Sequence, residues 1–341
     1  MRRLWVAALA IVLVLTVALA AGCGGGDDDE SGSKDSSGTP AAGAGGDAVD
    51  LTQKRDVNIA MVTHGDGGSF WAVAKRGAED AAKDMGINLK YSESDNDPEK
   101  QAQLIQAAVS EKVDGLAVSA PDPDALTGAL KSATDAGIPV ITLNSGAEDF
   151  EKLGATTHVG QTETIAGEGA GTKLKEAGAK KVLCVIHEQS NIGLNQRCDG
   201  AKKGFGGDLE TLQVKGTDDV QTTLTEIQSK LQADKSVDGV LALNPDIAIA
   251  ARDAVDAAGS EAKVATFDLS GDVVKAIKDG TIEFAVDQQQ YLQGYLPVVF
   301  LTLGKTNANT VGGGQPVLTG PGFVTKDNAD TVEKLAEEGT R

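Results

Sequence analysis

Three polar residues stand where short β-branched runs end: Asn144 after Val140–Leu143, Asn244 after Gly239–Leu243, and Asp268 after Val264–Phe267. In open α/β sheets, strand carboxyl ends are where ligands sit. Amides and a carboxylate there suit hydroxyl groups. Asp268 could serve as a general acid or base, but the sequence offers it no partner, no nucleophile elbow and no paired acids. The loop Thr63-His64-Gly65-Asp66-Gly67-Gly68-Ser69 is rich in glycine, yet fits neither the dinucleotide fingerprint nor a P-loop and lacks the P-loop lysine. It leads into Phe70-Trp71. That adjacent pair is either one core aromatic beside one exposed one, or an aromatic platform at a cleft mouth for the C–H face of a sugar ring. Arg197 either reaches a ligand oxygen with its fork of donors or pairs with a nearby acid. Cys184 and Cys198 lie 14 residues apart, as a disulfide or as two buried thiols. The three histidines, His64, His158 and His187, are scattered without metal-ligand spacing and read as hydrogen-bonded structural residues or single cleft contacts. No metal or cofactor is expected.

The elements that must position these groups alternate. Strands are predicted at Val57–Thr63, Ile87–Ser92, Gly115–Ser119, Val140–Leu143, Val182–Ile186, Gly239–Leu243, Val264–Phe267 and Ile282–Val286. Helices at Phe70–Met85, Gln101–Val109, Ala125–Ala136, Thr222–Leu231 and Ile247–Ala257 fall between them. Such alternation specifies parallel sheets covered by helices. Gly86, Gly137, Gly178, Gly259 and Gly280 each follow a helical stretch, as left-handed C-terminal caps do. An internal repeat is visible too. Val113-Asp114-Gly115-Leu116-Ala117-Val118-Ser119 matches Val237-Asp238-Gly239-Val240-Leu241-Ala242-Leu243, and each is followed by a helix ending in Ala-Gly and a further strand. The expected fold is therefore two similar α/β lobes whose strand ends face one cleft.

The 341 residues suit two such lobes. With 50 acidic against 31 basic residues, the net charge of −19 repels phosphate backbones, which argues against nucleic acid as a partner. Arg2-Arg3 precede an apolar run from Leu4 to Ala20, then Ala20-Ala21-Gly22-Cys23, after which the composition changes abruptly. This reads as a signal peptide over residues 1–22, with lipidation at Cys23 where the small residues resemble a bacterial lipobox. The alternative is a plain secretory signal with an incidental cysteine. Gly24 to Asp50 is rich in Gly, Ser, Ala and Asp, a flexible leash spanning about 30 Å.

From about Asp56 onward the chain resembles the periplasmic sugar-binding proteins of ABC importers, the ribose-binding-like group that shares its fold with lactose-repressor-type cores. The resemblance rests on Ser69-Phe70-Trp71 leading to Lys75-Arg76-Gly77, on Ile138–Asn144, on Arg197-x-x-Gly200, on the strand ending at Asn244, on Thr266-Phe267-Asp268, and above all on Asp287–Tyr295. It implies the type 1 periplasmic binding protein fold, two Rossmann-like lobes joined by a hinge. The lobes would be residues 56–156 with about 289–318, and 157–288 with about 319–341, after a lipid-anchored linker over 23–55. By the same resemblance, Asp66, Phe70, Trp71, Asn144, Ser145, Arg197, Asn244, Asp268 and Gln288 bind the ligand. Asn144 and Ser145 stand where the family usually carries aspartate and many members carry arginine, so ribose itself is disfavoured against another pentose, a hexose, an inositol or a polyol. The implied role is that of a monomeric extracytoplasmic lipoprotein, held at the cell membrane, that delivers this solute to an ABC permease. The same cleft would serve a chemoreceptor or sensor kinase. An exported carbohydrate-active enzyme is a weaker reading, and a repressor lacks a DNA-binding segment where signal and leash stand.

Overall fold

The computed structural model describes residues 54–341; the signal, Cys23 and the leash read from the sequence lie outside them. The first lobe runs β1 (Asn58–Thr63), α1 (Ser69–Met85), β2 (Asn88–Glu93), α2 (Pro98–Ser110), β3 (Gly115–Ser119), α3 (Pro123–Asp135), β4 (Val140–Asn144) and β5 (His158–Gly160). The second follows as α4 (Glu163–Glu176), β6 (Lys181–Ile186), α5 (Ile192–Phe205), β7 (Asp208–Gln213), α6 (Val220–Ala233), β8 (Gly239–Ala242), α7 (Pro245–Ala257), β9 (Lys263–Phe267), α8 (Gly271–Asp279) and β10 (Phe284–Asp287). The chain then returns to the first lobe with α9 (Gln290–Asn307) and β11 (Val317–Leu318), and ends in the second with β12 (Gly322–Thr325) and α10 (Glu333–Glu337).

Two six-stranded sheets result, ordered β2-β1-β3-β4-β5-β11 and β7-β6-β8-β9-β10-β12. Every pairing is parallel except β10 with β12. The repeat seen in the sequence places β3 and β8 at the same position in their sheets. Because β5 pairs in parallel with β4, the first lobe continues through Gly160, a few residues past the boundary expected at 156. That strand is too short to carry a periodic signal.

Helices cover both faces of each sheet, which is why the strands are apolar on both sides. Ala60 and Val62 of β1 face one core while Ile59 and Met61 face the other; Leu183 and Val185 of β6 oppose Val182, Cys184 and Ile186 in the same way. The five glycines expected to end helices all carry positive φ. Cys184 on β6 and Cys198 on α5 are joined by a disulfide.

Helices α4 and α5 pack backbone to backbone. A Cβ at Gly167 or Gly171 would stand 2.2 or 2.0 Å from the carbonyl oxygen of Arg197 or Ala201, and one at Gly200 or Gly204 would stand 2.2 or 2.0 Å from that of Thr164 or Glu168. Only glycine fits these four places. Their spacing brings the N-terminal turn of α4 beside the middle of α5, and so Glu163 beside Arg197.

Three crossings join the lobes, between Gly160 and Glu163, between Asp287 and Gln290, and between Leu318 and Gly322. Thr319 binds them together: its N–H donates to Gly160 O at 2.7 Å and its hydroxyl to Gln288 O at 2.7 Å. The Gln289 side chain donates to Thr319 O at 2.6 Å.

Candidate functional site between the lobes

The carboxyl ends of both sheets face each other across a small cavity lined mainly by polar side chains. The first lobe contributes His64 from beyond β1, Phe70 and Trp71 from the start of α1, and Asn144 from the end of β4. The second contributes His187 and Glu188 from beyond β6, Asn191, Leu194 and Arg197 from α5 and its cap, Leu243 and Asn244 from beyond β8, and Asp268 from beyond β9. Gln288 enters from the hinge.

Asn144 and Asp268 occupy the same place in the two halves of the repeat, and both adopt left-handed backbone, with φ of 59° and 68°. Asparagine and aspartate tolerate this region better than other side-chain-bearing residues. The turn lifts each side chain over the end of its sheet. Gln288 bridges them: its Nε2 donates to Asp268 Oδ1 at 2.8 Å, and its Oε1 lies 3.5 Å from Asn144 Nδ2 and 2.9 Å from Gln293 Nε2. Burial raises the Asp268 carboxyl to about 7, against the pull of Arg197 and the Gln288 hydrogen bond.

Arg197 is buried and clamped. Its Nε and Nη2 donate to Glu163 Oε2 and Oε1 at 2.6 and 3.0 Å, Nη1 donates to Leu243 O at 3.3 Å, and the guanidinium lies 4.6 Å from the Phe267 ring centroid. Of five guanidinium N–H groups, three are thus engaged, which leaves two for the cavity. Arg197 thus pairs with an acid, as one reading had it, and it also lines the cavity. Nothing local in the sequence marks Glu163; its signal is the glycine spacing that registers α4 against α5. Asn244 spends its Oδ1 capping α7, accepting from Asp246 N at 2.8 Å, and keeps its amide N–H groups free of partners among the described residues.

Phe70 and Trp71 are both buried and both line the cavity, their rings 4.9 Å apart and edge to face. Neither is the exposed partner of the alternative reading. Trp71 meets His64 edge to face at 4.8 Å. His64 in turn bonds Ser119 Oγ through Nδ1 at 2.7 Å and reaches Glu188 across the cleft, 3.6 Å from Nε2. Burial lowers both cavity histidines, His187 to about 4, so they are neutral at pH 7. His158 lies in β5 away from the cavity, bonded to Thr142.

Asp66 and Ser145 do not line the cavity. Asp66 accepts from Gly68 N at 3.0 Å and from the Thr217 hydroxyl of the opposite lobe, so it ties the mouth. The Ser145 hydroxyl lies 3.0 Å from Asn144 Oδ1 and holds that amide in place. His64 and His187, which the sequence allowed as hydrogen-bonded structural residues or single cleft contacts, line the cavity; Glu188 and Asn191 carry no signal in the sequence, because they sit in a loop and a cap with no pattern of their own. Among the described residues no three His, Cys, Asp or Glu side chains gather as a metal site, and no helix is long and apolar enough to cross a membrane.

A hinged pair of parallel-sheet lobes closing on a polar cavity defines a class of solute-binding protein. Residues 59–302 match the model of the periplasmic binding protein domain, and the chain belongs to that family. It is 28% identical over 251 residues to the ribose import binding protein RbsB of Bacillus subtilis, covering 71% of this chain and 80% of that one. A carbohydrate transporter from Acidothermus cellulolyticus, solved in complex with myo-inositol, is 45% identical with a TM-score of 0.82, covering 84% of this chain and 100% of the other. A solute-binding protein from Burkholderia graminis, solved with D-arabinose, is 25% identical with a TM-score of 0.71, covering 80% of this chain and 96% of the other.

Proposed function

We propose that this protein captures a small cyclic polyol, with myo-inositol the first candidate, between its lobes and delivers it to an ABC permease. The observation that carries this is the lining of the cavity, where amide, guanidinium and carboxylate groups converge from both lobes with an aromatic pair on one wall. The inositol-bound neighbour at 45% identity supports the ligand class. Asn144, Asn244, Asp268, Gln288 and the two remaining Arg197 donors would fix hydroxyls, while Phe70 and Trp71 pack the ring. Such a site rejects analogues lacking a hydroxyl, because its own buried groups would be left unpaired. Ligand contacts from both lobes favour the closed form, the hinge motion by which such domains work.

Thermal unfolding against a panel of pentoses, hexoses, inositols and polyols tests the reading. A ligand present at about 100 times its dissociation constant adds about 2.7 kcal/mol. Silence from every ring polyol would overturn it. In the same reading residues 1–22 are a signal peptide and Cys23 carries the lipid that holds the protein at the outer face of the membrane. Cys23→Ser should then move the protein from the membrane fraction to the soluble one; retention on membranes would remove the anchor from this account.

A further inference from the structure

Charge around the cavity is unbalanced. Glu188 and Asp268 line it and Glu163 stands directly behind Arg197, so three buried carboxylates share one guanidinium. Glu163 takes that guanidinium in a two-point pair at 2.6 and 3.0 Å. Arg197 is the sole Lys or Arg among the lining residues. The two histidines that face Glu188 are neutral at pH 7 and supply no compensation. At the mouth, Asp66 and Asp246 add further negative charge.

Asp268 is the sharpest case. It is 3% exposed, Gln288 occupies its Oδ1, and its Oδ2 has no partner among the described residues. A buried carboxylate with an open oxygen is costly unless a proton or a cation meets it. A neutral polyol brings hydroxyl donors but no charge. An ammonium brings three donors and no acceptor, and its hydrogen bond to a carboxylate is roughly twice as strong as a neutral one.

We propose that the preferred ligand is a basic amino derivative of a ring polyol, an amino-cyclitol or amino sugar, whose ammonium rests on Oδ2 of Asp268 in a cavity that Glu188 also lines. The inference rests on the polyol-binding reading and deepens it. The charged amine replaces the proton that burial otherwise holds on Asp268, and its ring hydroxyls keep the amide and guanidinium contacts already described.

Isothermal titration of the full chain at neutral pH with myo-inositol and with an inosamine, its monoamino analogue, tests this. The inosamine should bind at least about tenfold more tightly, as a charge-assisted contact in a buried site would give. In Asp268→Asn, checked for native circular dichroism, the ratio of the two affinities should collapse towards one whatever the change in overall affinity. Glu188→Gln should reduce the ratio by a smaller factor. Equal or weaker binding of the inosamine by the wild type would overturn the amine assignment and leave the polyol reading standing. An undiminished ratio in both variants would also overturn it, by removing the carboxylates as its source. Binding of neither compound would overturn the polyol reading, and this inference with it.

Discussion

Arg197 and Glu163 form a buried ion pair at the wall of the cavity. Both are buried, and the removal of one partner leaves a charge without compensation, which costs about 3–5 kcal/mol. Arg197→Ala should therefore destabilise the protein by about that amount in urea unfolding, as well as abolish ligand binding. Equal stability in variant and wild type would mean that the pair is solvated. Asp268 makes a prediction of opposite kind. Its folded value of about 7 lies above the unfolded 3.8, so between these values the folded state keeps a proton that the unfolded chain has released. Without ligand its contribution to stability falls as pH rises through that window, by up to about 1.4 kcal/mol per pH unit. Asp268→Asn removes this fall, so the difference in stability between variant and wild type should grow from pH 3.8 to 7 and then level off. His187, lowered to about 4, works in the other direction, losing stability as pH falls from 6.5. It is common to both proteins and cancels in the difference. At this scale the repeat made Asn144, Asn244 and Asp268 legible, because strand ends are readable from apolar runs. Glu163, Glu188 and Asn191 were not, because what qualifies them is a neighbour far away in the chain.

Among the elements, α4 and α5 decide where Arg197 stands. Gly200 meets the Thr164 carbonyl so closely that an added methyl forces the helices apart. Gly200→Ala should cost about 1–3 kcal/mol or more and weaken ligand binding at least about tenfold through the displaced Arg197 one turn away. Gly128 on α3 is the control. A Cβ there meets nothing within 4 Å, so Gly128→Ala should stabilise by about 0.5–1 kcal/mol and leave binding untouched. If the two variants behaved alike in denaturation and titration, close packing would not be what positions Arg197. Glycine also explains why the apolar period failed to mark α4: small residues at its buried face, Gly167, Ala170 and Gly171, carry little hydrophobic signal. Helix α9, with Pro297 in its interior, broke the pattern for a different reason, since proline reads as a helix stop.

For the molecule as a whole, closure is built into helix capping. Helix α1 begins after Gly68, which has no side chain to cap it. The cap comes from the other lobe, where Asp246 Oδ2 accepts from Ser69 N at 3.3 Å and from Ser69 Oγ at 3.2 Å. A cap of this sort is worth about 0.5–2 kcal/mol, available only when the lobes are together. Asp246→Ala should shift the ligand-free protein towards an open form, seen as a larger radius of gyration in solution scattering, and weaken ligand binding by roughly threefold to thirtyfold. An unchanged radius and affinity would show that the mouth contacts do not bias closure.

The alternation of strands and helices, the duplicated lobe, the glycine-terminated helices and the polar strand ends were all written locally, in runs of a few residues whose period and punctuation obey backbone geometry. From these alone follow two parallel sheets and a cleft between their carboxyl ends. Only the tertiary structure decided which polar residues share the cavity, that Asp66 ties its mouth and Ser145 supports from behind, that Cys184 and Cys198 meet, and that three carboxylates crowd one arginine. Those are facts about residues as far apart as Ser69 and Asp246. Burial, charge and hydrogen bonding act through space, and the chain must fold before distance along it gives way to distance between atoms.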